Sequence, residues 1–392
     1  MKTTLISTVG TSLIYPNLSG LPVDETTYEA WLKRQPLSEQ PLLSYELISN
    51  IRTALQQKNW KQLADYLGQI PGTTRLCGAE INSITDLIQR KYCIEKCTLM
   101  FCHSATPEGE NIAEILKYYY QNKGHRTETQ KIEGLQDDQP KLFRTKGLRN
   151  LAKTISQIVR EQTPQYCAIN ATGGYKAQIA IAVLMGQALG VPVYYKHERF
   201  SEIIAFPPMP IGLDFSLWLE KTGLLSALDR QDLVQWQEVE EDWDERLEAL
   251  VERVEMDGKI YLELSPTGQI FHETFKGRFA SEYDQVLPPA VPISQKQQPD
   301  LTSHGWGNAR TPILNWLQKI TDDCAYVQSC RTHYWNQHLP APVLFRLRGE
   351  QIEGVLSNGT WTVKFYVDTS SNTPGQRAAC VAALNQKIEQ WK

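Results

Sequence analysis

Three short segments of this sequence bring hydroxyls and glycines together, two of them with a charge. They are Thr8-Val9-Gly10-Thr11-Ser12, Ser104-Ala105-Thr106-Pro107-Glu108-Gly109-Glu110 and Asn170-Ala171-Thr172-Gly173-Gly174-Tyr175-Lys176. Glycine lets backbone N–H groups approach an anion, and a helix amino terminus favours negative charge beside it. Lys176 stands where a helix begins, an unfavourable place for a cation unless it serves a ligand. One such loop is ordinary turn and N-cap chemistry. Three at one sheet edge read as an anion site. Neither GxGxxG nor GxxxxGK[ST] occurs, which argues against dinucleotide binding and nucleoside-triphosphate hydrolysis. A second group lies near the carboxyl end: Arg331, His333, Tyr334, Arg346, Arg348, Lys364, Tyr366 and Arg377. Arg346 and Arg348 alternate along one strand-like run, as do Lys364 and Tyr366 along another, so each pair shares a face. That pattern suits a phosphate-binding surface.

The elements that must position these residues fall into three regions. Residues 1–212 alternate strand-like and helix-like runs, and this predicts a Rossmann-like, doubly wound, mostly parallel α/β sheet. KTTLIST, CTLMFCHS and QYCAINAT are buried strands, followed by VPVYYK and EIIAF. Helical spacing covers 43–68, 79–92, 110–120 and 147–162, with an alanine-rich helix after Gly174. In such a sheet, ligands bind outside the carboxyl ends of the strands, where the three loops fall. Residues 213–277 predict an acidic helix, then a hairpin with Pro266-Thr267-Gly268 at its tip, a winged-helix-like linker module. Residues 278–392 predict a helix, a basic aromatic segment, an antiparallel meander turning at Ser357-Asn358-Gly359, and a closing helix. This last region is a small α+β effector domain.

The chain has 392 residues, 41% hydrophobic and 21% charged, with 40 basic and 44 acidic side chains. A net charge of −4 excludes a generally basic nucleic-acid coat, but not a local basic site. No apolar run approaches the roughly 18–20 residues of a bilayer span. MKTTLISTVG reads as a first core strand rather than a signal peptide, so the expectation is a cytoplasmic protein without a membrane partner. Eight cysteines are too few for a disulfide scaffold, and no CxxC pair occurs. Cys93, Cys97 and Cys102 read as buried thiols, with a zinc site as the alternative. Trp236, Trp243 and Trp316 read as packing anchors, and Glu238 to Glu245 as a solvated helix face. His197, beside Lys196 and Arg199, either reaches a ligand or caps a strand.

ISTVGTSL, GAEINSI, CHSATPEGENIAEIL and INATGGYKAQIA, in this order, resemble the CARF domain of CRISPR-associated proteins across about residues 1–210. The resemblance implies a homodimer with one symmetric pocket for cyclic oligoadenylate, with cyclic tetra-adenylate as the activator. Backbone amides with Thr11, Ser12, Thr172 and Lys176 would hold phosphates and ribose hydroxyls. Glu80, Asn82 and Ser104 would make rim or base contacts. Thr8, Gly10, Thr106, Gly173, Gly174 and Tyr175 complete the expected ligand set. By the same analogy, Ser12 and Lys176 mark where a ring nuclease cleaves its ligand, without metal or other cofactor.

The last region resembles the RelE toxin fold in element order and composition. That implies a metal-independent endoribonuclease acting on messenger RNA, with the ribosome as a possible partner. Arg331, His333, Arg346, Arg348, Lys364 and Tyr366 would be its catalytic residues. Competing readings are a HEPN helix carrying Arg331 and His338, a PD-(D/E)xK site using Glu350, Glu353, Asp368 and Lys364, and a docking domain without catalysis. At the level of the whole chain the alternatives are a ring nuclease and a non-enzymatic sensor of cyclic oligoadenylate.

Overall fold

A strand that is apolar on both faces needs a sheet covered on both sides, and β1 (Lys2–Thr8) buries every side chain from Thr4 to Thr8. The computed structural model describes residues 1–136, 138–197, 202–210 and 212–391, with the backbone alone in 281–284. The chain divides into two compact units, Met1–Ile211 and Gly212–Lys392.

In the first unit, β1 is followed by α1 (Glu25–Leu32), α2 (Tyr45–Gln56), α3 (Trp60–Leu67) and α4 (Gly78–Gln89). Next come β2 (Cys93–Ser104), α5 (Pro107–Asn122), β3 (Arg126–Ile132), a single turn α6 (Pro140–Leu142) and α7 (Leu148–Gln162). The unit ends with β4 (Cys167–Asn170), α8 (Lys176–Leu189), β5 (Val193–Tyr195) and β6 (Ile204–Phe206). The sheet order is β3-β2-β1-β4-β5-β6. All neighbours are parallel except β5 and β6. The register sets Leu5 between Leu99 and Ala168, all fully buried. Strand order reverses between β1 and β4, so the crevice outside their carboxyl ends is the place where such a sheet binds ligands.

Two expectations change in detail. The helical run 43–68 is two helices: Lys58 takes a left-handed φ of 53°, and the Asn59 side chain caps α3 through Gln62 N–H. β3 was not legible as a strand because it is a polar edge, pairing only with β2 and carrying Arg126, Glu128 and Gln130.

The second unit contains α9 (Phe215–Gln231), β7 (Val234–Gln235), α10 (Trp236–Val239), β8 (Val251–Met256), β9 (Lys259–Leu264) and α11 (Pro266–Val286). α12 (Arg310–Asp323), β10 (Val327–Asn336), β11 (Leu344–Arg348), β12 (Gln351–Ser357), β13 (Thr362–Thr369) and α13 (Pro374–Trp391) complete it. It holds a three-stranded sheet, β7-β9-β8, and a four-stranded sheet, β10-β13-β12-β11, both antiparallel. The protein is therefore α/β, with one six-stranded, mostly parallel sheet and two small antiparallel ones.

The acidic stretch after α9 is not one helix. Asp232 has φ 59° and ends α9, and the chain then buries Val234, Val239, Leu247 and Val251 through short turns and strands. The hairpin turns at Asp257-Gly258, both left-handed, rather than at Pro266-Thr267-Gly268. Ser265 instead caps α11, its Oγ accepting from Gly268 N–H at 3.0 Å, with Pro266 in the first turn where a missing N–H costs nothing. The expected border at 277/278 falls inside α11. One core joins Trp218, Leu225 and Phe275 to Ile313, Phe345 and Trp391. Trp316 packs against Phe345, Phe365 and Trp391, while Trp236 and Trp243 meet edge to face and flank Arg253. All eight cysteines are buried free thiols. Among the described residues no helix is long and apolar enough to cross a membrane.

Candidate functional site

The first site forms where β1 and β4 end side by side. Thr8 Oγ donates to the Gly173 carbonyl at 2.6 Å, tying the first loop to the third. Gly10 N–H donates to Glu80 Oε1 at 2.7 Å. The backbones of Gly10 and Gly174 come so close that a Cβ on Gly10 would lie 2.5 Å from Gly174 N. Gly174 has φ 98°, which L side chains rarely adopt, and a Cβ there would meet Gln178 Oε1. That oxygen already accepts from Tyr175 N–H at 2.6 Å. Behind the loops, Asn170 Nδ2 donates to Ser7 and Ser83 hydroxyls at 3.0 and 2.9 Å. Thr106 caps α5, accepting from Gly109 N–H at 3.1 Å and meeting the Ser104 hydroxyl at 2.8 Å.

These contacts leave a cavity of about 370 Å³ at the amino terminus of α8. Of the residues named from sequence, Gly10, Thr11, Ser12, Ser104, Thr172, Gly173, Gly174, Tyr175 and Lys176 line it. Thr8, Glu80, Asn82 and Thr106 do not. Thr8 and Thr106 have hydroxyls committed to the backbone, and Asn82 donates to the Gly72 and Thr74 carbonyls. Asn82 faces an adjoining cavity of about 190 Å³, together with Ser12, Arg75, Lys196 and His197. Glu80 is fully buried beneath the glycines, and burial pushes its carboxyl above the usual range against the pull of the Gly10 amide. It braces the loops instead of facing a ligand. Lys176 is exposed, and its side chain makes no hydrogen bond or ion pair with any described residue. Tyr15, Gln178, Tyr195 and Lys196 also line the cavity and were not named as ligand residues. Lys196 is held by Asp86 at 2.9 Å. Its backbone N–H donates to Thr172 Oγ, which fixes the β5 end to the third loop. His197 lines both cavities, while Arg199 lies outside the described residues.

The second site is one face of the four-stranded sheet. Register places Arg331, Tyr366, Glu353 and Arg346 in a single row across β10, β13, β12 and β11. The His333 ring stacks on Tyr366 at 4.1 Å between centroids. Its Nε2 lies 3.0 Å from Glu353 Oε1, off the line of a hydrogen bond, and the two form an ion pair only when the imidazole is protonated. Glu353 Oε2 accepts from Arg346 Nε at 2.8 Å, and Arg348 Nε lies 3.5 Å from the same oxygen. Lys364 sits over the Tyr334 ring at 5.2 Å, and Arg331 lies 6.0 Å from the Tyr366 centroid. Burial lowers the His333 pKa; Lys364 and Arg331 push the same way and Glu353 opposes them. Burial would raise Glu353, but Arg346, then Lys364 and His333, hold it below the usual carboxylate range. The result is a neutral imidazole beside a charged carboxylate, with cations on either side. That arrangement can take a proton and stabilise a phosphorane.

Arg346 and Arg348 are not the open pair the sequence suggested. Arg346 Nη1 contacts Asp242, and Arg348 Nη2 contacts Glu241 at 2.6 Å. The stretch read as a solvated helix face thus supplies two carboxylates to this surface. Next to it lies a cavity of about 580 Å³, bordered by Tyr334, Arg346, Thr362, Lys364, Glu238 and Glu241. Arg377 belongs to α13, and its guanidinium lies 4.0 Å from Glu350. The HEPN reading fails because Arg331 stands on a strand. The PD-(D/E)xK reading also lacks its geometry: Glu350 is 91% exposed and Asp368 binds Ser329 Oγ. Among the described residues no three such side chains gather into a metal cluster. The role of Glu353 beside His333 was missed, although a signal existed: the tight β11–β12 turn pairs Arg348 with Gln351, and so Arg346 with Glu353.

The first unit is thus an α/β domain whose topological switch point holds a glycine-lined, cation-bearing cavity of the kind that binds anionic ligands. Residues 75–209, about a third of the chain, match the family described as CRISPR-associated protein (Cas_APE2256). The matched segment includes the second and third loops but not the first. No curated protein matches the chain. One similar solved structure is Can2 from Sulfobacillus thermosulfidooxidans, in complex with cyclic tetra-adenylate. Identity is 10% and the TM-score 0.22, over 48% of this chain and 59% of that one, so the chain spans less than two thirds of its length.

Proposed function

We propose that the first unit binds cyclic oligoadenylate, with cyclic tetra-adenylate the ring, across a homodimer, and that this activates the second unit as a metal-independent endoribonuclease. The observation that carries the reading is the exposed Lys176, whose side chain has no partner among the described residues, on a glycine-lined wall at the strand-order switch. A cavity of about 370 Å³ lies near the small end of ligand sites, about 300–1,000 Å³. A ring of four nucleotides therefore needs a second copy of the chain, and an isologous dimer offers each half of the ring the same loops. The match to a CRISPR-associated family and the CARF resemblance support the same ligand.

In the second unit, His333 would take the proton of an RNA 2′-hydroxyl. As O2′ bonds to phosphorus, the P–O5′ bond breaks and O5′ takes a proton from water, leaving a 2′,3′-cyclic phosphate and a 5′-hydroxyl; the imidazolium then returns its proton to solvent. Arg331 and Lys364 would stabilise the charge, and Tyr366 would hold the imidazole plane. The element order resembles that of RelE enzymes, which makes messenger RNA on the ribosome the first substrate to test. Ligand binding would shift the second unit towards its cutting state. The test is RNA cleavage in chelator, with and without cyclic tetra-adenylate, on free RNA and on translating ribosomes. Ligand-dependent products with cyclic phosphate ends are expected. Intact RNA in every condition, with ligand bound, overturns the ribonuclease half.

A second reading has its own observation: Ser12 and Lys176 line the same wall, where a bound ring could be cut by its own 2′-hydroxyl. Conversion of cyclic tetra-adenylate to linear products by the protein alone would favour a ring nuclease.

A further inference from the structure

We infer that Arg346 and Arg348 form a phosphate site for an RNA strand, and that this chain's own Glu241-Asp242 turn now occupies it. The inference rests on the ribonuclease reading of this sheet face. Both arginines lie on the same face of β11, two residues apart. Each carboxylate of the turn reaches both guanidiniums. Asp242 contacts Arg346 and lies 3.8 Å from Arg348. Glu241 lies 2.6 Å from Arg348 and 3.9 Å from Arg346. Two planar forks sharing one set of anionic oxygens is the geometry by which arginines hold a phosphate.

The two halves of the contact differ in strength. The Arg346 and Asp242 side chains are 8% and 13% exposed, whereas Arg348 and Glu241 are 31% and 71% exposed. An exposed pair is worth only about 0–1 kcal/mol, so the Arg348 arm opens first to a competing phosphate. Arg346 keeps Glu353 when Asp242 leaves, so release of the turn does not strand a buried cation. The turn is tethered from below by Lys221, which donates to the Asp242 carbonyl at 3.1 Å. The cavity beside it, with Lys364 and Thr362 on its wall, gives the strand a path past Arg346.

The test uses the full chain and a labelled single-stranded 2′-O-methyl RNA, which cannot be cut through its 2′-oxygen. Failure of the cleavage reaction therefore does not alter this measurement. Glu241→Gln with Asp242→Asn should tighten binding about tenfold and steepen the salt dependence by one to two phosphate contacts, at about 0.7 slope units each. Arg348→Ala in that background should reverse the gain. A charge-matched control, Glu245→Gln with Glu255→Gln, alters exposed carboxylates outside this contact and should change affinity less than about twofold. Equal gains in both double variants, or no gain at all, overturn the inference. Should the double variant melt early, Glu241→Gln alone carries the test, with about threefold tighter binding expected and none refuting it. A variant that binds tighter while even ligand-activated wild type cuts no RNA upholds the phosphate site and removes the nuclease.

Discussion

Replacing Lys176 by alanine should move affinity and stability in opposite directions. Lys176 is the first residue of α8, exposed, with no ion-pair partner among the described residues. A cation there opposes the helix dipole by about 0.3–1 kcal/mol, and alanine is at least as good a helix former. The variant should therefore melt at the same temperature as wild type or slightly above it. Binding should suffer instead. A charge-assisted hydrogen bond to a phosphate is worth about 1.5–3 kcal/mol. A ring held across a two-fold axis meets the lysine twice, so the loss is about 3–6 kcal/mol, or roughly 100-fold to 10,000-fold in dissociation constant. Calorimetric titration with cyclic tetra-adenylate at fixed salt reads the affinity, and a thermal melt reads the fold. Unchanged affinity would place the ligand elsewhere. A loss near tenfold would mean one lysine per ring and no symmetric dimer site. A lower melting temperature would show that Lys176 has a structural partner, and the reasoning would fall.

Gly174→Ala should lose cyclic tetra-adenylate binding while circular dichroism stays native, because a Cβ at φ 98° must displace Gln178 and reshape the third loop; wild-type affinity would show that the loop does not touch the ring. Arg346→Ala should destabilise the second unit by about 3–5 kcal/mol, since it strands Glu353 and Asp242, both largely buried. Arg348→Ala should cost under about 1 kcal/mol, and equal costs in denaturant titrations would contradict the burial difference. His333 has a folded pKa below the unfolded value of about 6.5. Its neutral form thus stabilises the fold fully above pH 6.5, and that contribution is lost as pH falls through the folded pKa. Cleavage should rise with pH along the same limb, and Glu353→Gln, which removes the carboxylate opposing the shift, should move the limb to lower pH. A limb that moves up excludes His333 as the base.

The loops of the first unit were legible because their chemistry is local. A glycine pair, a hydroxyl and a lysine before a helix mean the same thing whatever packs around them, and the alternation of strands and helices says which sheet edge they share. The braces were harder to see. Glu80 looked like a ligand contact because a glutamate near such loops is usually exposed; only the fold shows it fully buried under Gly10 and Gly173. Tyr195 and Lys196 reach the cavity because β5 lies beside β4, a neighbour relation fixed by sheet order rather than by any nearby motif.

The second unit shows the opposite balance. Its basic strands were correctly placed on one face by alternation alone, yet the partners of those bases come from far along the chain. Asp242 and Arg346 are separated by 104 residues, and the acidic run read as a solvated helix because its periodicity was weighed without the core that bends it. Val239 and Leu247 are fully buried, and the chain between them runs through a short 3-10 turn that sets Glu241 and Asp242 against the arginines. A face that looked purely basic in sequence is neutralised in the fold, with His333 and Lys364 left at its rim. On the ribonuclease reading, RNA would enter from the side of Lys364 and compete for Arg348, the more exposed of the two arginines, before it reaches Arg346.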